Sequence, residues 1–274
     1  MPSKLGQNFL TNPYYLKAIA DKAKLTSDDF VIEIGGGSGN LTEFLLKQAG
    51  QVVSVELDKK LAEGLKFRFG ENENFTIIQD DILNIDLNDL LKLKQTTGKT
   101  KIIGNIPYYI TTPIIFKFLD NEGQTQGSAP TYDEMIILIQ KEVGQRLISK
   151  PGIKNYGLLT VSVQYRADVK LLFTVPRTVF KPAPKVDSVL VSLTPHQQPL
   201  VTVYNQEIFW KMVKSIFMFR RKKLKNSLIC GGFSPEIINE AETKFDLGIR
   251  GEKLNINEMA KLSNLIVGIG LALP

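Results

Sequence analysis

A chain of 274 residues, 43% hydrophobic and 23% charged, has the composition of a folded globular protein and the length for one large or two modest domains. The net charge is +6, and residues 200–274 hold 11 Lys/Arg against 7 Asp/Glu, so four of the six charges fall in the last quarter, an asymmetry that points to a nucleic-acid partner. One Cys excludes an intramolecular disulfide framework, the start Met1-Pro2-Ser3-Lys4-Leu5 lacks the apolar run of a signal peptide, and Leu265–Leu273 is too short to span a bilayer; a soluble, cytoplasmic protein without a membrane partner is expected.

In chain order, residues 12–23 read as a helix, with Asn12 as N-cap, Pro13 in the first turn and Leu16, Ile19 and Ala20 on one face. Phe30–Ile34 is a short buried strand, 40–48 a helix, Gln51–Glu56 a strand, Lys59–Phe69 a helix, and Phe75–Gln79 and Lys101–Ile103 strands. A helix over Thr112–Leu119, a strand over Glu134–Ile139 and a helix over Lys141–Ile148 follow. Residues 156–166 are ambiguous: Thr160, Val161 and Val163 favour a strand, while the Leu159/Val163 spacing allows a helix. Val169–Val175 and Val186–Leu193 read as strands separated by prolines. After the polar segment Pro195–Pro199 the pattern is helical: Gln206–Met218, Arg220–Leu228, Pro235–Phe245 and Asn257–Val267. Short strands alternating with helices predict a doubly wound α/β fold. The expected division is a domain over 1–196 and a small all-α domain over 200–274.

The segment Gly35-Gly36-Gly37-Ser38-Gly39 follows a strand and opens a helix, a place where glycines let the backbone approach a ligand. Glu56 ends the next strand, 21 residues after Gly35, where an acidic side chain binds ribose hydroxyls in dinucleotide-type folds. Asp81 follows the third strand, placed to accept a hydrogen bond from an adenine amine or, more simply, to cap a short helix. The turn is Gly-x-Gly-x-Gly rather than the dinucleotide fingerprint, and no P-loop is present; S-adenosylmethionine fits better, having an adenosine and a charged tail but no phosphates.

Asn105-Ile106-Pro107-Tyr108 follows the apolar run ending at Gly104. An Asn side chain and the Ile106 carbonyl can accept the protons of an exocyclic amine, Pro107 stiffens the turn, and Tyr108 offers a face on which a base stacks. The one His, His196, lies in the expected linker, and the one Cys, Cys230, lies away from the strand ends; these positions argue against histidine acid–base chemistry, a multi-His metal site and thiolate-dependent carbon methylation. Phe180, in the stretch running to Ser188, is a candidate to pin the base opposite Tyr108, or a residue plugging the core. Phe217–Lys225 interleaves aromatics with Arg220, Arg221, Lys222, Lys223 and Lys225, the composition of an RNA contact rather than of a merely solvated helix face.

Taken together, these motifs resemble the small-subunit ribosomal RNA adenine dimethyltransferases, the KsgA family. The resemblance spans Leu5-Gly6-Gln7-Asn8-Phe9-Leu10, Glu33–Gly35, Asn105–Tyr108, Gln140–Val143, Phe180–Ser188, Asn226–Leu228 and Arg250–Leu254. It implies a class I, Rossmann-like methyltransferase fold with a seven-stranded sheet, residues 156–166 as a helix, and a helical C-terminal domain. It also implies S-adenosylmethionine contacts at Asn8, Leu10, Gly35, Glu56, Asp81 and Asn105, with Gly37, Leu57 and Ile82 as adjoining candidates. The implied substrate is a pair of adjacent adenosines in a hairpin loop near the 3′ end of 16S rRNA within the small ribosomal subunit. The protein is expected to act as a monomer without a metal. Gly36 stands where many members carry Pro, a change expected to be tolerated, and Tyr109 stands where the family often has Asn.

A close rival is the related resistance methyltransferase acting on a large-subunit rRNA adenosine; the Phe180–Ser188 and Arg220–Leu228 segments favour the small-subunit enzyme. A non-catalytic RNA-binding factor on the same fold predicts an eroded cofactor set, whereas Glu56, Asp81 and Asn105–Tyr108 are intact. A dehydrogenase is disfavoured by the fingerprint mismatch.

Overall fold

The computed structural model describes residues 8–120 and 131–272; Leu5–Gln7 of the N-terminal motif lie outside the described residues. The elements are β1 (Phe9–Leu10), α1 (Pro13–Ala23), β2 (Phe30–Ile34), α2 (Thr42–Leu46), β3 (Gln51–Glu56), α3 (Lys59–Phe69), β4 (Phe75–Gln79) and α4 (Leu87–Leu91). They continue with β5 (Thr100–Asn105), α5 (Thr111–Asp120), β6 (Glu134–Gln140), α6 (Lys141–Leu147), α7 (Leu158–Gln164), β7 (Ala167–Val175), β8 (Phe180–Lys181) and β9 (Ser188–Pro195). Four helices follow: α8 (Gln206–Met218), α9 (Leu224–Cys230), α10 (Pro235–Glu242) and α11 (Ile256–Ala272).

Seven strands form one sheet in the order β4-β3-β2-β5-β6-β9-β7. Only β9 runs against its neighbours, pairing antiparallel with β6 and β7. β2 and β3 are buried along their whole length, as expected of parallel strands covered on both faces. The chain moves outward from β2 through β3 to β4, then crosses back to place β5 on the other side of β2. That reversal opens a crevice beyond the carboxyl ends of β2 and β5, where open α/β sheets bind ligands. β1 and β8 form a separate two-stranded ribbon, with Phe9 opposite Lys181 and Leu10 opposite Phe180.

The chain divides into two compact units, with residues 145–166 grouped with the segment from 198 onward. The second boundary falls in the expected linker, but the expected 1–196 domain does not hold 145–166. The reason is burial: Tyr156 and Val161 share an apolar cluster with Phe209, Met212, Leu228 and Met259. The same packing decides the ambiguous segment. Leu158–Gln164 is a helix, with the Thr160 hydroxyl accepting from the Gly157 N–H (3.2 Å) and donating to the Arg146 carbonyl (2.7 Å). Tertiary contacts override β-propensity there.

The expected helix from Arg220 starts four residues later, at Leu224. Phe219 leaves helical geometry (φ −107°, ψ 36°) and Lys223 is extended, so residues 220–223 are a turn. No helix among the described residues is long and apolar enough to cross a membrane.

Candidate active site

The glycine segment turns sharply out of β2. Gly35 and Gly37 have φ of +72° and +57°, a region that side chains disfavour. The turn aims the Gly37 N–H at the Glu56 carboxylate, 2.8 Å away. The other Glu56 oxygen accepts from the Asp58 N–H at 2.9 Å. Two backbone donors therefore hold a carboxylate that is 3% exposed at the end of β3, and its remaining lone pairs face a cleft. Asp81, at the end of β4, uses one oxygen to hold its own turn, accepting from the Leu83 N–H at 2.9 Å. Sequence reasoning allowed that capping role as the simpler alternative to ligand binding; Asp81 nonetheless also lines the cleft.

Asn105 ends β5, and its side-chain amide donates to the Asn8 carbonyl at 2.9 Å. With the NH2 group turned to Asn8, the carbonyl end of the amide is left as an acceptor. Asn8 is held at this place by the β1–β8 ribbon. Thr11 N–H bonds the Val179 carbonyl at 3.2 Å, and the Asn40 side chain donates to the Leu10 carbonyl at 3.0 Å. Pro107 opens a single 3₁₀ turn closed by Ile110 N–H to the Pro107 carbonyl (3.1 Å), and Tyr108 stands on it.

One cleft unites Asn8, Leu10, Gly35, Gly37, Glu56, Leu57, Asp81, Ile82 and Asn105–Tyr108. Tyr109, singled out from sequence as a departure bearing on how the adenine pocket handles the monomethyl intermediate, also lines it, as do Phe9 and Asn40, which were not assigned roles from sequence. The Phe9 ring comes within 3.1 Å of where a Gly37 Cβ would stand. A two-residue ribbon carries no periodic signal, so nothing local announces that residues 8–10 fold back over this turn.

Phe180 is not in the cleft. It is 2% exposed and packs in the apolar core with Leu10, Val175 and Leu190. Its pairing opposite Leu10 turns the ring into the core, which is the plugging role weighed as its alternative. In the second unit, Arg220 is paired with Glu252 and donates to the Lys154 and Ile153 carbonyls at 2.7 and 3.1 Å. Lys225 is paired with Glu242 at 2.6 Å. Arg221, Lys222 and Lys223 remain exposed without an acidic partner among the described residues.

The lining tests which ligand fits. Among the described residues it contains Glu56, Asp80 and Asp81 but no Lys, Arg or His. An acidic cleft without a cation repels phosphates and suits a nucleoside bearing positive charge. S-adenosylmethionine has a diol, an adenine amine, an ammonium and a sulfonium against a single carboxylate, so its donors and its net positive charge match this lining. Among the described residues no group of three or more His, Cys, Asp or Glu side chains is arranged to hold a metal.

A sheet with its one reversed strand between the last two, and an acidic cofactor cleft at its carboxyl edge, define a class I methyltransferase dependent on S-adenosylmethionine. The chain belongs to the ribosomal RNA adenine dimethylase family, whose model matches residues 1–267. It is 40% identical over 265 residues to "Ribosomal RNA small subunit methyltransferase A" of Caldanaerobacter subterraneus subsp. tengcongensis, covering 96% of each chain. It is 41% identical to the protein of that name from Clostridium acetobutylicum, covering 96% of this chain and 92% of that one. A solved dimethyladenosine transferase from Plasmodium falciparum aligns with a TM-score of 0.72 at 25% identity, over 96% of this chain and 98% of that one.

Proposed function

We propose that this protein dimethylates N6 of two adjacent adenosines in the 3′-terminal hairpin loop of 16S rRNA. It does so as a cytoplasmic monomer during small-subunit biogenesis. The observation that carries the reading is the Asn105 amide, fixed by the Asn8 carbonyl so that its oxygen is free to accept at the mouth of an acidic nucleoside cleft.

Glu56 binds the ribose diol of the cofactor and Asp81 its adenine amine, with Leu57 and Ile82 beside them. Asn8, Leu10, Gly35 and Gly37 form the wall around its amino-acid tail. S-adenosylmethionine, when bound, supplies an electrophilic methyl group. The target adenine stacks on Tyr108. An exocyclic amine lends its lone pair to the ring, which makes it a poor nucleophile. Acceptors at Asn105 Oδ1 and the Ile106 carbonyl take hydrogen bonds from its protons and draw the nitrogen towards the tetrahedral geometry in which the lone pair is available. With the cofactor bound, the nitrogen–methyl bond would form as the sulfur–methyl bond breaks, its electron pair returning to sulfur to leave the neutral thioether S-adenosylhomocysteine, and the nitrogen proton would pass to solvent. No side-chain nucleophile is required. Arg221, Lys222 and Lys223 neutralise RNA phosphates.

The test is mass spectrometry of rRNA after incubation of small subunits with the protein and labelled S-adenosylmethionine. Two dimethyladenosines in the 3′-terminal loop of 16S rRNA are expected. Label confined to 23S rRNA would replace this reading with the large-subunit one, and no incorporation into either would overturn it.

A further inference from the structure

We propose that Ser188 is a positioning residue for methyl transfer: its hydroxyl fixes the direction of the Tyr108 ring on which the target base stacks. This rests on the stacking role assigned to Tyr108 above. The hydroxyls of Tyr108 and Ser188 are 2.7 Å apart. Ser188 is fully buried at the start of β9, in register with Gln140 of β6 on one side and Val175 of β7 on the other. The residue before it is tied down as well. The Asp187 carbonyl accepts from the Lys141 N–H at 3.0 Å, and its carboxylate accepts from the Arg177 N–H at 3.0 Å. The anchor is therefore part of the sheet.

Tyr108 stands on a short 3₁₀ turn and is half-exposed in the cleft. A tyrosine on such a turn can swing about its Cα–Cβ bond. A hydrogen bond at the phenol oxygen, which lies on the ring axis, stops that swing without fixing rotation about Cβ–Cγ. The ring then stays in the cleft when no base is present, and less ordering remains to be done on binding. Burial and the nearby Asp187 carboxylate raise the Tyr108 pKa, while the bond to Ser188 opposes them; the net shift is upward, so the phenol keeps its proton at neutral pH. This assignment also explains the Phe180–Ser188 stretch. Its first residue is in the core, and the stretch reaches the chemistry through its last.

The test is a double-mutant cycle of Ser188→Ala and Tyr108→Phe. It is read as single-turnover methylation of small subunits at saturating cofactor, with cofactor affinity measured by calorimetry. Each single variant should slow transfer by about threefold to tenfold, the range of one missing hydrogen bond, with cofactor affinity unchanged. The double variant should be no slower than the slower single one, and Ser188→Thr should recover most of the rate. If Ser188→Ala slows Tyr108→Phe as much as it slows the wild type, the hydroxyl acts on strand pairing and the proposal is overturned. An independent reading comes from the Tyr108 ring carbon resonances. They should shift and broaden in Ser188→Ala with no RNA present, and unchanged resonances would sink the tether even if the wild type proved to have a different substrate.

Discussion

Asn105 and Glu33 show two opposite uses of a polar side chain at the end of a strand. Asn105 is exposed to the cleft and oriented by one hydrogen bond, so its replacement should cost chemistry rather than structure. Asn105→Ala is expected to lower the single-turnover rate at saturating cofactor by a hundred- to thousandfold, about 2.7–4 kcal/mol in barrier, with the folded state and RNA affinity retained. Rapid-quench measurement of one turnover checks this. Near-normal rates would make the Asn-x-Pro-Tyr turn structural.

Glu33 is buried beneath the glycine turn at 1% exposure. One oxygen accepts from the Thr42 hydroxyl at 2.8 Å, and the other has no hydrogen-bond partner. Burial pushes its carboxyl up from 4.5 to about 7, against the Thr42 hydrogen bond. The folded state thus holds a proton that the unfolded chain releases at ordinary carboxylate pH. The stability this proton brings is complete below the unfolded value and is lost as pH rises through the folded one, by about 3 kcal/mol in total. Glu33→Gln, neutral throughout, should remove that part of the decline between pH 5 and pH 8. Urea melts of both proteins at the two pH values measure it; parallel slopes would mean that Glu33 is ionised in the fold.

At the scale of elements, the glycine turn and the basic turn carry separate lessons. A Cβ on Gly36 would stand 2.4 Å from Ser54 Oγ and 2.7 Å from Leu65 Cδ1. With Ser54 and Leu65 beneath the turn, glycine is the residue that fits, whatever relatives carry there. Gly36→Ala should destabilise the fold by about 1–3 kcal/mol, the range for overpacking, and weaken cofactor binding; a thermal melt with and without S-adenosylmethionine checks both.

The basic turn divides by function. Arg221, Lys222 and Lys223 replaced together by Gln should lower the log–log salt slope of RNA binding by roughly 0.7–0.9 for each phosphate no longer neutralised, without changing the melting temperature. Arg220→Gln should do the reverse, since Arg220 ties α8 to Glu252 and to the carbonyls of Ile153 and Lys154. Equal effects from the two sets would dissolve this division. A run of five cations in six residues was visible in the sequence. Which of them meet acids was not, because Glu252 and Glu242 lie 17 to 32 residues away along the chain.

For the whole molecule, legibility followed the range of the interactions involved. Buried parallel strands such as Phe30–Ile34 and Gln51–Glu56 announced themselves by continuous apolar runs, and the cleft followed because its residues sit at strand ends. Asn8 and Leu10 were legible through the family resemblance alone, and the residues by themselves left Phe180 open between cleft and core; the β1–β8 pairing and the Tyr108–Ser188 bond were not legible, since each joins segments far apart in sequence. The excursion of residues 145–166 into the second unit was hidden for the same reason. A fragment ending at 197 would keep Tyr156 and Val161 but lose the partners that bury them. It should bind a hydrophobic dye and aggregate on concentration, whereas the full chain should not.

The ribbon formed by β1 and β8 also sets an order of events during synthesis. Asn8 and Asn105 are 97 residues apart, and Thr11 meets Val179 across 168. Residues 8–11 therefore wait until the chain through Val179 has been made before they can dock, and until then the Asn105 amide lacks the carbonyl that fixes its orientation.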